Sequence, residues 1–303
     1  MIIKVNNYVL TDSKIIDNKK ILIISDVHSN VKALKRIRSL LDTIKPSYIL
    51  MPGDTLDRVD DPNNKELSVI LKDISYKYNL IICLGNHEFY DKYNLYDRNS
   101  KNKSLHYLDL FKYLDKNSNS YTFSKSFCFK EFGSFNLYSI NLPYEYYSEG
   151  GEDFNILYDI LDKNKDKVKN DKFNILLIHS PNGLFDKDNI NTSNSFISSM
   201  NLIVCGHNHG GLVPTNIQDK VKSHRGFVGP YGTILPRNSF GIYNKDNTSL
   251  IISNGVTKMS YSTKTGVIGK FINLVCEPEV DLIELKHGYK HVLELKNRNK
   301  YKF

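Results

Sequence analysis

Five short apolar runs constrain this chain more than anything else in it. Each is continuous rather than alternating, and each ends in a loop of aspartate, asparagine or histidine. The runs are Ile21 to Ile24, Tyr48 to Met51, Leu80 to Leu84, Phe173 to Ile178, and Leu202 to Cys205 after Asn201. A run without polar alternation predicts a strand covered on both faces. After Ile24 come the polar residues Ser25 to Asn30, and then Val31, Leu34, Ile37, Leu40 and Leu41 at helical spacing. After Met51 come Pro52 to Asp57, then a helical pattern over Glu66 to Tyr76; after Leu84 comes Gly85-Asn86-His87-Glu88. Strand, loop and helix in repetition argue for crossover units and a largely parallel sheet, whose functional loops sit at the carboxyl ends of the strands.

The remaining segments fill in a second layer. Ile2 to Leu10 alternates weakly and predicts an opening strand. Tyr90 to Tyr121 is polar and tyrosine-rich, with a helix predicted over Ser104 to Leu114. Tyr121 to Phe123, Phe127 to Phe129 and Asn136 to Ile140 predict strands of a second sheet, the last two joined by a turn at Gly133-Ser134. Glu152 to Leu161 is predicted helical. From Gly211 to Tyr243 the chain is rich in glycine and proline and reads as a long ordered loop. Leu250 to Asn254, Phe271 to Val275, Val280 to Leu285 and Val292 to Leu295 predict closing strands. No repeat and no linker interrupts the 303 residues, so one domain over residues 1–303 is expected.

Charge and cysteine content narrow the partners. Lysine and arginine number 41 against 33 acids, a net charge of +8, which favours phosphates, nucleic acid or an anionic membrane surface. Asn, Lys, Ile and Tyr are abundant throughout, so a composition-wide lysine bias accounts for the same excess. Cys83, Cys128, Cys205 and Cys276 have no paired spacing and lie in apolar or strand-like runs, as reduced core residues in a reducing compartment do. No stretch has the length of a membrane span and the start lacks a signal-peptide pattern. A cytoplasmic location is expected, and it is compatible with peripheral membrane association.

The loops at the strand ends carry Asp26, His28, Asp54, Asn86, His87, His179, His207 and His209. Hard oxygens and imidazole nitrogens without thiolate suit manganese, iron, zinc or similar divalent ions. The set is too large for one ion and about right for two ions and one catalytic side chain. Taken singly, each has a plainer reading: Asp26 as a helix cap, Asp54 as a turn residue, His179 as an ordinary loop histidine. Asp57, Glu88 and Asn30 read as supports that order the ligands. His224, Arg225 and Arg237, in the glycine-rich loop near Lys258, are candidates for meeting a phosphate substrate, or solvated loop residues. His106, His287 and His291 read as surface residues.

In order, Asp26-x-His28, Gly53-Asp54, Gly85-Asn86-His87-Glu88, His179 and Gly206-His207-x-His209 resemble the full signature of the calcineurin-like metallophosphoesterases. The resemblance implies an α/β fold: a four-layer α-β-β-α sandwich of two mixed sheets, with a dinuclear metal centre at the strand ends. It implies one ion on Asp26, His28, Asp54 and His209, and a second on Asp54, Asn86, His179 and His207. The two histidines of one turn then serve different ions. The implied reaction is hydrolysis of phosphate monoesters or diesters by a metal-bridging hydroxide, with His87 protonating the leaving oxygen or stabilising phosphoryl charge. Gly210-Gly211, Pro214, Asn254-Gly255-Val256 and Glu277-Pro278-Glu279-Val280 are similar to a bacterial branch with phosphodiesterases and lipid-precursor pyrophosphatases. A small phosphate ester or nucleotide is the substrate so implied. A nuclease on this scaffold and a non-catalytic metal-binding scaffold are the alternatives.

Overall fold

The computed structural model describes residues 2–57, 61–88, 113–114, 116, 120–147, 151–221, 224–257, 272 and 275–303. The first apolar segments become β1 (Ile2–Asp12), β2 (Lys19–Ile23), β3 (Tyr48–Met51) and β4 (Asn79–Ile82). Between them run α1 (Val31–Ile44) and α2 (Asn64–Lys77). Asn30 caps α1 by accepting from the backbone N–H of Ala33, and the helix stops at Lys45 in the left-handed region (φ 50°). Of the helix predicted over Ser104 to Leu114, Tyr113 and Leu114 are helical and the rest lies outside the described residues.

The chain then passes to a second layer, later than the sequence predicts. β5 (Tyr121–Thr122) pairs parallel with β4, and Phe123 N–H donates to the Ile82 carbonyl at 2.8 Å. It therefore closes the first sheet rather than opening the second. The switch follows it, where the Asn141 amide donates to the carbonyls of Phe123 and Lys125 and holds the bend. β6 (Phe127–Glu131) and β7 (Phe135–Ile140) pair antiparallel in the second sheet. They are followed by α3 (Phe154–Asn164), β8 (Phe173–Ile178), a small hairpin of β9 (Phe185–Asp186) and β10 (Asn189–Ile190), and β11 (Leu202–Cys205). β12 (Gly241–Lys245), β13 (Thr248–Ile252), β14 (Glu279–His287) and β15 (Val292–Lys302) complete the set. Of the strand predicted over Phe271 to Val275, the described residues Ile272 and Val275 are helical, and Cys276 N–H donates to the Ile272 carbonyl one turn back. A short apolar run does not discriminate strand from buried helix by its pattern alone.

The sheets run β15-β1-β14-β2-β3-β4-β5 and β12-β13-β11-β8-β7-β6. Their centres are parallel, β2 to β5 in one and β7, β8, β11 and β13 in the other. Antiparallel pairs flank them, with β1 and β14 parallel in the first sheet, so both are mixed. Successive residues of each strand enter different cores. Ile21 and Ile23 meet Leu137, Ile175 and Val204 between the sheets, whereas Leu22 and Ile24 pack with Leu34, Ile37 and Leu71 beneath α1 and α2. Leu176, Ile178 and Ile203 pack with Leu157 and Leu161 of α3 on the far side. Burial on both faces explains the uninterrupted apolar runs and gives the four-layer sandwich.

Cys83, Cys205 and Cys276 are buried, Cys128 is half-buried, and all four are free thiols. Among the described residues no helix is long and apolar enough to cross a membrane. One histidine departs from the surface role expected of it. The His291 side chain is 3% exposed, with Nδ1 2.6 Å from Asp12 Oδ2 and Nε2 2.8 Å from Ser249 Oγ. The antiparallel pairing of β15 with β1 carries it inward at the strand's start. His287 is exposed as expected, and His106 lies outside the described residues.

Candidate metal centre

Parallel strands bring their carboxyl ends to one edge, and here β2, β3, β4, β8 and β11 deliver their following loops to the same place. Asp26 and His28 come from the first, Asp54 from the second, Asn86 and His87 from the third, His179 from the fourth, and His207 and His209 from the fifth. The loops are strained: Asp26 (φ 52°), His28 (47°), Asp54 (50°), His207 (71°) and His209 (47°) all lie in the left-handed region. For residues with a side chain this costs about 1–3 kcal/mol each and persists only where the surroundings impose it.

The surroundings are hydrogen-bonded backbone at close range. Asp26 and His28 N–H donate to the carbonyls of Gly53 and Asp54, at 3.3 and 3.0 Å. The buried Glu88 carboxylate accepts from the N–H groups of Asp54 (3.1 Å), Leu56 (3.0 Å) and Gly85 (2.7 Å), tying two ligand loops together. Burial and the charge of Asp54 push its carboxyl up to about 7. Two glycines permit the approach: a Cβ on Gly85 would lie 2.2 Å from Asp54 Oδ1, and one on Gly206 would lie 1.9 Å from Ser25 Oγ. The Gly206 position thus answers to crowding, and the left-handed turn falls at Gly210 (φ 66°).

The side chains gather into three groups, two with Asp54 in common and a third in which His28 meets Asp57 and His87. Ligand atoms of Asp26, His28, Asp54 and His209 lie within 4.8 Å of one another, and so do those of Asp54, His179 and His207. Asn86 joins the second group, its Oδ1 3.0 Å from His179 Nε2. His28 and His209 stand 5.0 Å apart by ring centroid, and His179 and His207 4.9 Å. Asp54 Oδ2 faces both groups, 3.2 Å from His179 Nε2 and 3.6 Å from His28 Nε2.

Second partners aim the rings. His179 Nδ1 lies 2.8 Å from the Pro52 carbonyl and His209 Nδ1 2.8 Å from the Thr257 carbonyl, which turns both Nε2 atoms toward carboxylates. His87 Nδ1 lies 2.7 Å from the Asp57 carbonyl, and its Nε2 is 4.0 Å from Asp54 Oδ2. The Asp57 carboxylate stands between His87 and His28, at 3.7 and 3.6 Å.

The electrostatics favour a cation. Burial alone would raise Asp26 and Asp54, but the surrounding imidazoles outweigh it and hold both below the usual carboxylate range, Asp54 well below. Burial drives His209 down to about 4, which leaves its imidazole neutral and able to coordinate. In His179 burial is overcome by Asp54, which lifts it to about 9. Hard oxygens and imidazoles in two groups around one carboxylate fit a pair of divalent ions. The clearest sign is His28: its ring is buried, and its nitrogens face the carboxylates of Asp54 and Asp57 at 3.6 Å, beyond hydrogen-bond distance, which leaves room for a cation on the Asp54 side.

Two contributors escaped the sequence reading. Glu152, read as the start of a helix, precedes the true cap Asp153 and brings Oε1 within 3.2 Å of His207 Nε2, a charge contact rather than an aligned hydrogen bond. Its only signal is an acid placed after Gly150-Gly151. Tyr147, buried, packs its ring 5.5 Å from that of His207. The loop that carries the substrate candidates packs on the ligand turn, with Phe227 N–H donating to the Gly211 carbonyl at 2.7 Å and the Tyr231 ring 6.3 Å from that of His207. His224 packs on Phe240 and Tyr243 and lines a cavity of about 220 Å³ with Asn6 and Arg298, while Arg237 stands 3.7 Å from Asp188. Arg225 is half-buried and Lys258 lies outside the described residues. None of His224, Arg225 and Arg237 belongs to either ligand group.

Comparison with known proteins gives a sequence family and a set of folds. The family described as calcineurin-like phosphoesterase matches residues 19–211. No curated protein sequence matches. Among solved structures, TT1561 of Thermus thermophilus is similar at 11% identity and a TM-score of 0.48, over 79% of this chain and 90% of that one. A novel archaeal phosphodiesterase aligns at 10% identity and 0.38, over 80% and 87%. The NAD nucleotidase of Haemophilus influenzae aligns at 13% identity and 0.42, over 79% and 45%.

Proposed function

The chain belongs to the calcineurin-like phosphoesterase family, and from that premise we propose that it hydrolyses small phosphate esters, monoesters or diesters, at a dinuclear centre. The observation that carries this reading is the pair of ligand groups sharing Asp54. Asp26, His28, Asp54 and His209 would hold one ion, and Asp54, Asn86, His179 and His207 the other. Two divalent ions supply Lewis acidity and an activated water there, and manganese, iron or zinc suits these donors.

The chain's own groups do the rest. Asp54, kept ionised, turns Oδ2 toward both groups, while its Oδ1 accepts the His87 N–H at 2.9 Å. His87, its Nδ1 engaged by the Asp57 carbonyl, presents Nε2 at the edge of the cluster and gives a proton to the leaving oxygen as the imidazolium, a form that burial disfavours and the Asp54 charge supports, with its pKa below the ordinary histidine value. Its side chain is 22% exposed, against 1% for His28 and 20% for the ligand candidate His209, so it is the exposed imidazole outside the two ligand groups. Residues 1–303 make one domain in this reading, because β1, β14 and β15 complete the sheet that carries β2, β3 and β4.

Protein loaded with manganese should hydrolyse bis-p-nitrophenyl phosphate, p-nitrophenyl phosphate or both. A preparation carrying two ions per chain that cleaves neither, nor any of a panel of nucleotides and UDP-sugars, would sink the enzyme reading.

A further inference from the structure

Glu152 is a buried carboxylate on a loop that the family signature does not include. Its side chain is 6% exposed, and among the described residues the only basic group within ion-pair distance is His207, at 3.2 Å. Ser180 Oγ donates to it at 2.7 Å. Ser180 follows His179 directly, so this one carboxylate touches both turns that bring imidazoles to the second group. A carboxylate left there without a role would cost its desolvation for nothing.

Its position also separates a ligand from a support. The Asp54, His179 and His207 donor atoms gather within 4.8 Å of one another, and Glu152 is outside that gathering. The contact it makes is with Nε2 of His207. In His179 and His209 the arrangement is the reverse: carbonyls take Nδ1, and Nε2 faces the acids of the cluster. The Glu152 contact falls short of an aligned hydrogen bond, yet a carboxylate 3.2 Å from Nε2 favours a proton on that nitrogen, which leaves the lone pair of Nδ1 for a metal.

We infer that Glu152 is a positioning residue for the second ion, holding His207 with Nε2 toward itself so that Nδ1 is the coordinating nitrogen. The inference rests on the dinuclear reading above. Carboxylate partners of metal-bound histidines are worth about 10–100-fold in metal affinity. The effect should be confined to one ion, because Glu152 contacts His207 and Ser180, on the side of the second group.

Manganese titration of the full chain, by calorimetry and elemental analysis, tests this. Glu152→Ala should weaken the second ion by about 10–100-fold and leave the first unchanged, with the near-isosteric Glu152→Gln intermediate. Melting curves of the metal-free proteins check that both variants fold. Nitrogen NMR of histidine-labelled protein loaded with zinc should find His207 bound through Nδ1. Coordination through Nε2, wild-type affinity in folded Glu152→Ala, or equal weakening of both ions would overturn the inference. Wild-type protein that binds fewer than two ions would instead overturn the dinuclear reading, and this inference with it.

Discussion

The molecule pairs aspartate with histidine at two buried places, and only one of them is built for chemistry. At the carboxyl ends of the parallel strands, Asp26 and Asp54 meet four imidazoles, His28 has no hydrogen-bond partner on either nitrogen, and the ligand backbones are strained. Between the sheets, Asp12, His291 and Ser249 form a relay whose order is that of a hydrolytic triad. His291 Nδ1 lies 2.6 Å from Asp12 Oδ2, and Nε2 2.8 Å from Ser249 Oγ. Here every group is served. Asp12 also accepts from the Lys14 N–H at 2.7 Å, Ser249 donates to Asn244 Oδ1 at 2.6 Å, and Ser249 is fully buried. None of the three has a positive φ. Residue types do not make a site; unfilled donor capacity, imposed strain and access do.

The comparison breaks if the two places answer alike to substitution. Asp54→Ala should remove both ions and lower phosphoesterase activity at least about 10³-fold, since it takes the shared carboxylate from each group. A variant that retains two metals by elemental analysis would end the bridging assignment. His87→Ala should keep both metals and lose about 10²–10⁴-fold in rate, with the larger loss on substrates whose leaving group is poor. Equal losses on p-nitrophenyl and alkyl esters would remove His87 from the proton-donor role.

At the relay the expected change is in stability alone. His291→Ala strands the Asp12 carboxylate and should cost about 1–3 kcal/mol in chemical denaturation, with metal content and rate per folded molecule unchanged. Lost activity at full stability would make the relay a second reactive site. The smallest effect is one of pH. Burial pushes Asp12 up, but its bonds to His291 and Lys14 outweigh this and hold it below its ordinary value. A depressed carboxyl contributes stability that is complete above its unfolded pKa of about 3.9 and is lost as pH falls through the folded value. The stability gap between wild type and Asp12→Asn should therefore be steady near neutrality and close on acidification below about pH 4. A gap that widened there would reverse the sign.

Much of this was legible in the chain. The buried strands announced themselves as unbroken apolar runs because both faces of each sheet are covered. The ligand loops were legible because parallel strands must end at one edge, so that Asp26, Asp54, Asn86, His179 and His207 had to be neighbours if the runs were parallel. Less could be read where the decision lay between distant segments. Tyr121-Thr122 is equally good strand for either sheet, and only its register with Ile81 and Ile82 settles the choice. Phe271 to Val275 is apolar enough for strand or helix, and the structure turns it into helix at Ile272 and Val275.

By itself, then, the sequence determined the strand–loop–helix units, the ligand chemistry and its order along the chain, all of which depend on local pattern. Tertiary structure decided what depends on approach across the fold. It gathered the candidate ligands into groups that share Asp54, brought Glu152 to His207 from a loop that looks like an ordinary helix start, and buried His291 against Asp12, 279 positions away in the chain. The physical reason is range. Propensity and periodicity act over a few residues, whereas a charge contact, a shared ligand or an inter-sheet relay joins side chains that only the packed sandwich brings within about 4 Å.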